Sequence, residues 1–111
     1  DAHAMMTEEM LRLKLFTKEE IKKESTDQPA CRKYFMHGLG HSLGLDVHDV
    51  SNEQSKFLNN SVFTVEPGIY LPDEGFGIRL EDNIQITPNG PVNLMSEVPI
   101  EPEEIEDIMN S

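Results

Sequence analysis

One cysteine, few basic residues and no long apolar run set the first bounds on this sequence. Cys31 alone cannot form an internal disulfide. With nothing that resembles a signal peptide, this points to a reducing, cytoplasmic compartment. Nine lysines and arginines stand against 21 aspartates and glutamates, for a net charge of −12. Such a balance disfavours nucleic acid and anionic membranes as partners, and suits a soluble protein or one that handles cations. No apolar run approaches the ~20 residues of a membrane span. The first residue is Asp1 rather than methionine, which reads as a processed chain or a piece of a longer one. At 111 residues the chain holds one domain at most, with a thin core.

The chain opens with a helical pattern over residues 4–15, where Met6, Met10 and Leu13 recur at helical spacing and Leu11 and Leu15 widen the stripe. Arg12 and Lys14 suit the end of that helix. Thr17-Lys18-Glu19-Glu20 is a capping-box pattern that predicts a second short helix to about Glu24. Ser25 to Ala30 reads as a loop. From Tyr34 the residues alternate in part, with Phe35, His37, Leu39, His41 and Leu43 on one face of an extended segment. Ser51 to Asn60 is polar and reads as a surface loop. Val62–Val65 and Ile69–Leu71 are short strands around Glu66-Pro67-Gly68, and Pro72–Phe76 is a turn. Residues 78–87 alternate apolar with polar and predict one long strand. Pro88-Asn89-Gly90 turns the chain back to Val92-Asn93-Leu94. Pro102 to Met109 is an acidic helix with Ile105, Ile108 and Met109 inward. Strands flanked by helices and mostly joined by short turns give an α+β fold.

Chemistry concentrates between Tyr34 and Val50, which hold three of the four histidines, His37, His41 and His48, and three of the seven glycines. Neutral imidazole ligates metals, and glycine admits close backbone approach. The glycines make a helix unfavourable, so His37 and His41 are not a helical zinc pair. Glu66 follows an apolar strand, where a carboxylate is aimed at a cleft or simply exposed in a turn. Arg79 and Glu81 share a face of the predicted long strand, as a site or as a plain salt bridge. His48 beside Asp49 reads as a His–Asp pair. Taken jointly, one imidazole and two carboxylates suit a borderline-hard divalent ion such as Mn, Zn, Co or Fe. Two such ions close together make a hydrolytic centre.

The combination of MHGLGHSLGLDVHDV with VFTVEPGIYLPDEGFGIRLEDNIQIT resembles the C-terminal half of a pita-bread metallopeptidase, of the Xaa-Pro aminopeptidase (aminopeptidase P) and prolidase branch. The resemblance runs from about Met10 to Met109. It implies a curved, mostly antiparallel sheet with flanking helices, in which residues 1–111 form part of a catalytic domain without its N-terminal half. It also implies removal of an N-terminal residue that precedes proline, with two divalent ions, most often Mn2+, with Zn2+ or Co2+ as alternatives. Residue by residue, His41, Glu66 and Glu81 match metal ligands, and Glu66 also matches the proton acceptor. His37 and His48 match histidines that bind substrate, and Arg79 matches the arginine that supports the bridging glutamate.

The family completes its centre with two aspartates eleven positions apart, and no aspartate here is followed by another at that distance. The expectation is therefore three ligands of five, loose or no metal binding by this chain alone, and little or no activity. A lone half would leave apolar sheet uncovered and pair with the missing half or as a homodimer. The alternatives are a non-catalytic peptide-binding or interaction module on the same scaffold, and a prolidase-type dipeptidase. A creatinase or methionine-aminopeptidase relative fits less well, because LGLDVHDV resembles the proline-directed branch.

Overall fold

The computed structural model describes residues 2–23, 29–50 and 56–111. The chain divides into two compact units, one of Asp1–Leu39 with Pro67–Arg79, the other of Gly40–Glu66 with Leu80–Ser111. No helix among the described residues is long and apolar enough to cross a membrane.

The first unit begins with helix α1, Ala2–Arg12. It ends earlier than the stripe predicts, and Leu13 is exposed. The stop is a Schellman turn. Leu15 N–H donates to the Met10 carbonyl and Lys14 N–H to that of Leu11, each at 3.0 Å. Lys14 takes the left-handed position with φ 60°, a place usually given to glycine. The cap therefore has no glycine to mark it in the sequence. Lys14→Gly is expected to raise stability by about 1 kcal/mol by removing the Cβ penalty. A thermal or urea midpoint that stays put or falls would contradict this account of the cap.

Helix α2, Lys18–Ile21, starts at Thr17 with the expected reciprocal box. Thr17 N–H donates to Glu20 Oε2 at 2.7 Å, and Glu20 N–H donates to Thr17 Oγ1 at 3.3 Å. The Thr17 N–H, followed by its hydroxyl, holds the Glu20 carboxyl below the usual range. The helix closes at Ile21, short of the predicted end, and Glu24 lies outside the described residues. Of the predicted loop, Ser25 to Gln28 also lie outside them, while Ala30 already opens a 3-10 turn, Ala30–Lys33.

The core of this unit is Met10, Phe16, Cys31 and Phe35. Tyr34 stacks on Phe16 with ring centroids 5.7 Å apart, and its hydroxyl donates to the Leu15 carbonyl at 3.2 Å. The strand ribbon of the unit (β3, Gly68–Leu71, and β4, Phe76–Arg79) is antiparallel and pairs Tyr70 with Gly77. Its link to the core segment is the Tyr70 N–H, which donates to the Tyr34 carbonyl at 2.9 Å.

The second unit is a four-stranded antiparallel sheet in the order β1-β2-β5-β6, of Ser42–Leu43, Val62–Val65, Asp82–Thr87 and Gly90–Asn93. Pro88-Asn89 is the hairpin loop, closed by Thr87 opposite Gly90. Helix α3, Pro102–Met109, follows.

Three expectations are corrected. The predicted extended segment from Phe35 to Leu43 is irregular except at Ser42–Leu43, because Phe35 anchors in the core of one unit while Ser42 and Leu43 pair with β2 in the other. The predicted long strand over 78–87 breaks at Leu80 and Glu81. β4 pairs with β3, whereas β5 pairs with β2 and β6, so one alternating run serves two sheets. Period alone is blind to a change of partner. Ile105, Ile108 and Met109 on α3 are not inward. They are 37%, 56% and 80% exposed, so the apolar stripe of the helix stays uncovered in this chain.

Candidate metal centre

The register of the second unit builds the site. Val65 pairs with Asp82 at the end of the β2–β5 ladder. Glu66 is the next residue beyond Val65 and Glu81 the one before Asp82, so the ladder's register sets the two carboxylates opposite each other. Like charges in that relation repel, and a shared cation turns the repulsion into coordination. On the other side of β2, Ser42 pairs with Phe63, which brings His41 alongside Thr64. Thr64 N–H donates to the His41 carbonyl at 2.9 Å. Three neighbouring strands thus each deliver one side chain to the same end of the sheet.

The side chains complete the arrangement. One ligand atom from each of His41, Glu66 and Glu81 can be chosen so that all lie within 4.8 Å of one another. His41 Nε2 is 3.6 Å from Glu66 Oε1, and the two side chains are 19% and 14% exposed. Glu66 is therefore not a solvated turn residue. His41 Nδ1 faces the Ser42 carbonyl at 3.0 Å. A carbonyl only accepts, so Nδ1 carries a proton, and Nε2 is the ring nitrogen that faces Glu66.

Thr64 is a residue the sequence reading passed over. It is the buried polar side chain among the described residues. Its hydroxyl accepts from His41 N–H at 2.9 Å, and its own proton faces the His41 carbonyl and Glu66 Oε1, each at 3.5 Å. It sits two residues before Glu66 near the end of β2, the one signal that would have found it. Gly40 is equally specific. A Cβ there would run into the Thr64 carbonyl, so only glycine lets the chain enter His41 this closely.

His48 lies against the centre. Its ring stacks on that of His41, centroids 3.9 Å apart and planes at 29°. The expected His–Asp pair is not what Asp49 makes. Its two carboxylate oxygens accept from the backbone N–H groups of Leu45 and Val50, at 3.0 and 2.9 Å.

His37 and Arg79 belong to the other unit. His37 Nδ1–H donates to the Gly38 carbonyl at 2.8 Å, which leaves Nε2 to accept from the Tyr70 hydroxyl, also at 2.8 Å. Tyr70 is a second partner that the sequence reading did not name. Arg79 is the last residue of β4 and Glu81 lies outside both strands. Contrary to expectation, the two do not share a face of one strand.

An imidazole and two carboxylates at the end of an antiparallel sheet fit a divalent ion of intermediate hardness. Comparison with known proteins says which kind of protein carries it. Residues 2–88 match the model of metallopeptidase family M24. The chain belongs to that family. It is 50% identical over 94 residues to the Xaa-Pro aminopeptidase of Escherichia coli K12, covering 74% of this chain and 21% of that protein. It is similar to the structure of E. coli aminopeptidase P with the inhibitor Pro-Leu, at 40% identity and TM-score 0.76 over 96% of this chain and 27% of that one. The Zn-substituted form of the E. coli protein in complex with product matches with the same identity, TM-score and coverage. The chain thus spans about a fifth of the length of that curated relative. The expected fold class, helices with antiparallel sheet as a part of the pita-bread fold, is borne out.

Proposed function

We propose that this chain supplies the histidine and the two glutamates of a two-metal centre in an aminopeptidase that removes the N-terminal residue ahead of proline. The observation that carries this reading is the convergence of His41, Glu66 and Glu81. A non-catalytic peptide-binding module has no chemical need for it. Mn2+ is the proposed ion, and two aspartates outside these 111 residues are proposed to complete its coordination. When bound, the metal pair would activate water and polarise the carbonyl ahead of proline.

The residues of this chain then divide the work. His41 would ligate the metal through its imidazole, whose ring is held by the Ser42 carbonyl at Nδ1. Glu66 takes a proton from the attacking water and passes it to the departing proline nitrogen. Glu81 would be the second carboxylate ligand, and Arg79 is the arginine that the family resemblance implies supports it. His37 and His48 hold the substrate carbonyl and steady the charge that develops on its oxygen. For His37 this means exchanging one of its present partners, since both ring nitrogens are engaged. Full-length protein loaded with Mn2+ should cleave an Xaa-Pro peptide and spare one with alanine in place of proline. Equal cleavage of both, or of neither, would contradict the proposal. The 111 residues alone should turn over little.

The domain reading is part of the same proposal. Fully buried apolar side chains among the described residues are few, and the α3 stripe is open. Such a piece should pack against more protein, the remainder of the domain or a second copy. Sedimentation of the 111-residue chain at micromolar concentration is expected to show mass above the monomer. A monodisperse monomer would argue against an adhesive surface.

A further inference from the structure

Asp49 and Gly44 form a matched pair that the catalytic roles above do not use. The loop after β1 is closed by backbone at two points. Asp49 N–H donates to the Ser42 carbonyl at 3.1 Å, and Gly44 N–H to that of Asp46 at 3.2 Å. The Asp49 carboxylate then folds back into the loop. Oδ2 accepts from Leu45 N–H and Oδ1 from Val50 N–H, so one side chain ties both flanks of His48. A Cβ on Gly44 would occupy the space of that Oδ2. Gly44 is thus the seat for the carboxylate, and any larger residue would expel it.

His48 itself is exposed. Its ring is nevertheless stacked on His41, at 3.9 Å. An exposed loop side chain has many rotamers open to it, and holding one depends on the backbone that carries it. The Ser42–Asp49 bond and the two carboxylate bonds fix that backbone on either side of the ring. We infer that Asp49 is a positioning residue. By tying the Gly44–Val50 loop, it holds the His48 ring against the metal-ligating His41. The consequence is a His41 ring fixed on two sides, by the Ser42 carbonyl at Nδ1 and by the stacked imidazole on its face. Partners of this kind govern a ligand's orientation, and their loss lowers activity or metal affinity about ten- to a hundredfold.

The inference rests on the metal-centre reading of His41, and two measurements separate them. The first needs no metal and no activity. In NMR spectra of the metal-free protein, the imidazole C–H resonances of His48 should lie upfield of free histidine because of the neighbouring ring. In Asp49→Ala and in Gly44→Ala they should move to the free value, while those of His37 stay in place. Unchanged His48 resonances in both variants would overturn the inference. So would equal movement at His37, which would mean general unfolding. The second is a double-mutant cycle on kcat/KM of the full-length, Mn2+-loaded protein. Asp49→Ala should lose about ten- to a hundredfold in the wild-type background and almost nothing further in His48→Ala. Asp49→Asn, which keeps one acceptor oxygen, should fall between wild type and Asp49→Ala. An equal loss in both backgrounds would show that Asp49 does not act through His48, and would also overturn the inference. Should wild-type protein lack Xaa-Pro cleavage while the His48 resonances respond as expected, the proposed function falls and the positioning role stands.

Discussion

Glu66→Gln is expected to lower cleavage of an Xaa-Pro peptide by about a thousandfold in the full-length protein, within the range for loss of a general base. The substitution keeps the size of the side chain and removes its charge and its basicity. Glu66 lies 3.6 Å from His41 Nε2 with little exposure, so the change acts inside the ligand cluster. Two losses combine. The proposed centre would give up one of the two carboxylate charges this chain brings to it, and the attacking water would give up its proton acceptor. The two are separable. Calorimetric titration with Mn2+ should show weakened binding, and kcat measured at saturating Mn2+ should still be far below wild type. Wild-type kcat at saturating metal would assign Glu66 to binding alone. Wild-type affinity together with wild-type kcat would remove it from the centre.

Gly40→Ala carries the second large effect, and it reaches the site through the backbone. The added methyl would meet the Thr64 carbonyl, a group of the sheet rather than the far end of a flexible side chain. Either β1 moves away from β2 or the backbone at His41 bends. Overpacking of this kind costs about 2 kcal/mol. The same movement stretches the His41 N–H to Thr64 Oγ1 bond, now 2.9 Å, and carries the imidazole away from Glu66. The expected result is a lower urea midpoint accompanied by weaker Mn2+ binding. An unchanged midpoint with unchanged affinity would show that the close approach of Gly40 to Thr64 is dispensable.

Legibility in the sequence followed the range of the interactions. The capping box at Thr17–Glu20 and the turn at Pro88-Asn89-Gly90 were readable because their hydrogen bonds span a few residues, and the strand at Val62–Val65 because its apolar, β-branched run shows in residue type although its partners are distant. The three proposed ligands, His41, Glu66 and Glu81, were singled out through their motifs, and the register supplies a physical reason for their meeting. The break at Leu80-Glu81 was not readable, because an alternating pattern continues across it while the partner strand changes. The outward stripe of α3 was missed for a related reason. Amphipathic spacing says that a face wants cover, not where the cover comes from. The cap at Lys14 was hidden by the absence of glycine. Asp49 was mistaken for a histidine partner because its real partners are backbone N–H groups, which leave no mark on residue type.

Pulsed EPR of the Mn2+-loaded protein with 15N-labelled histidine tests the centre most directly. The coupling of one directly bound imidazole nitrogen should appear, should vanish in His41→Ala, and should persist in His48→Ala and His37→Ala. Coupling that survives His41→Ala, or no nitrogen coupling in the wild type, would contradict the assignment of His41, Glu66 and Glu81 as the metal-binding set.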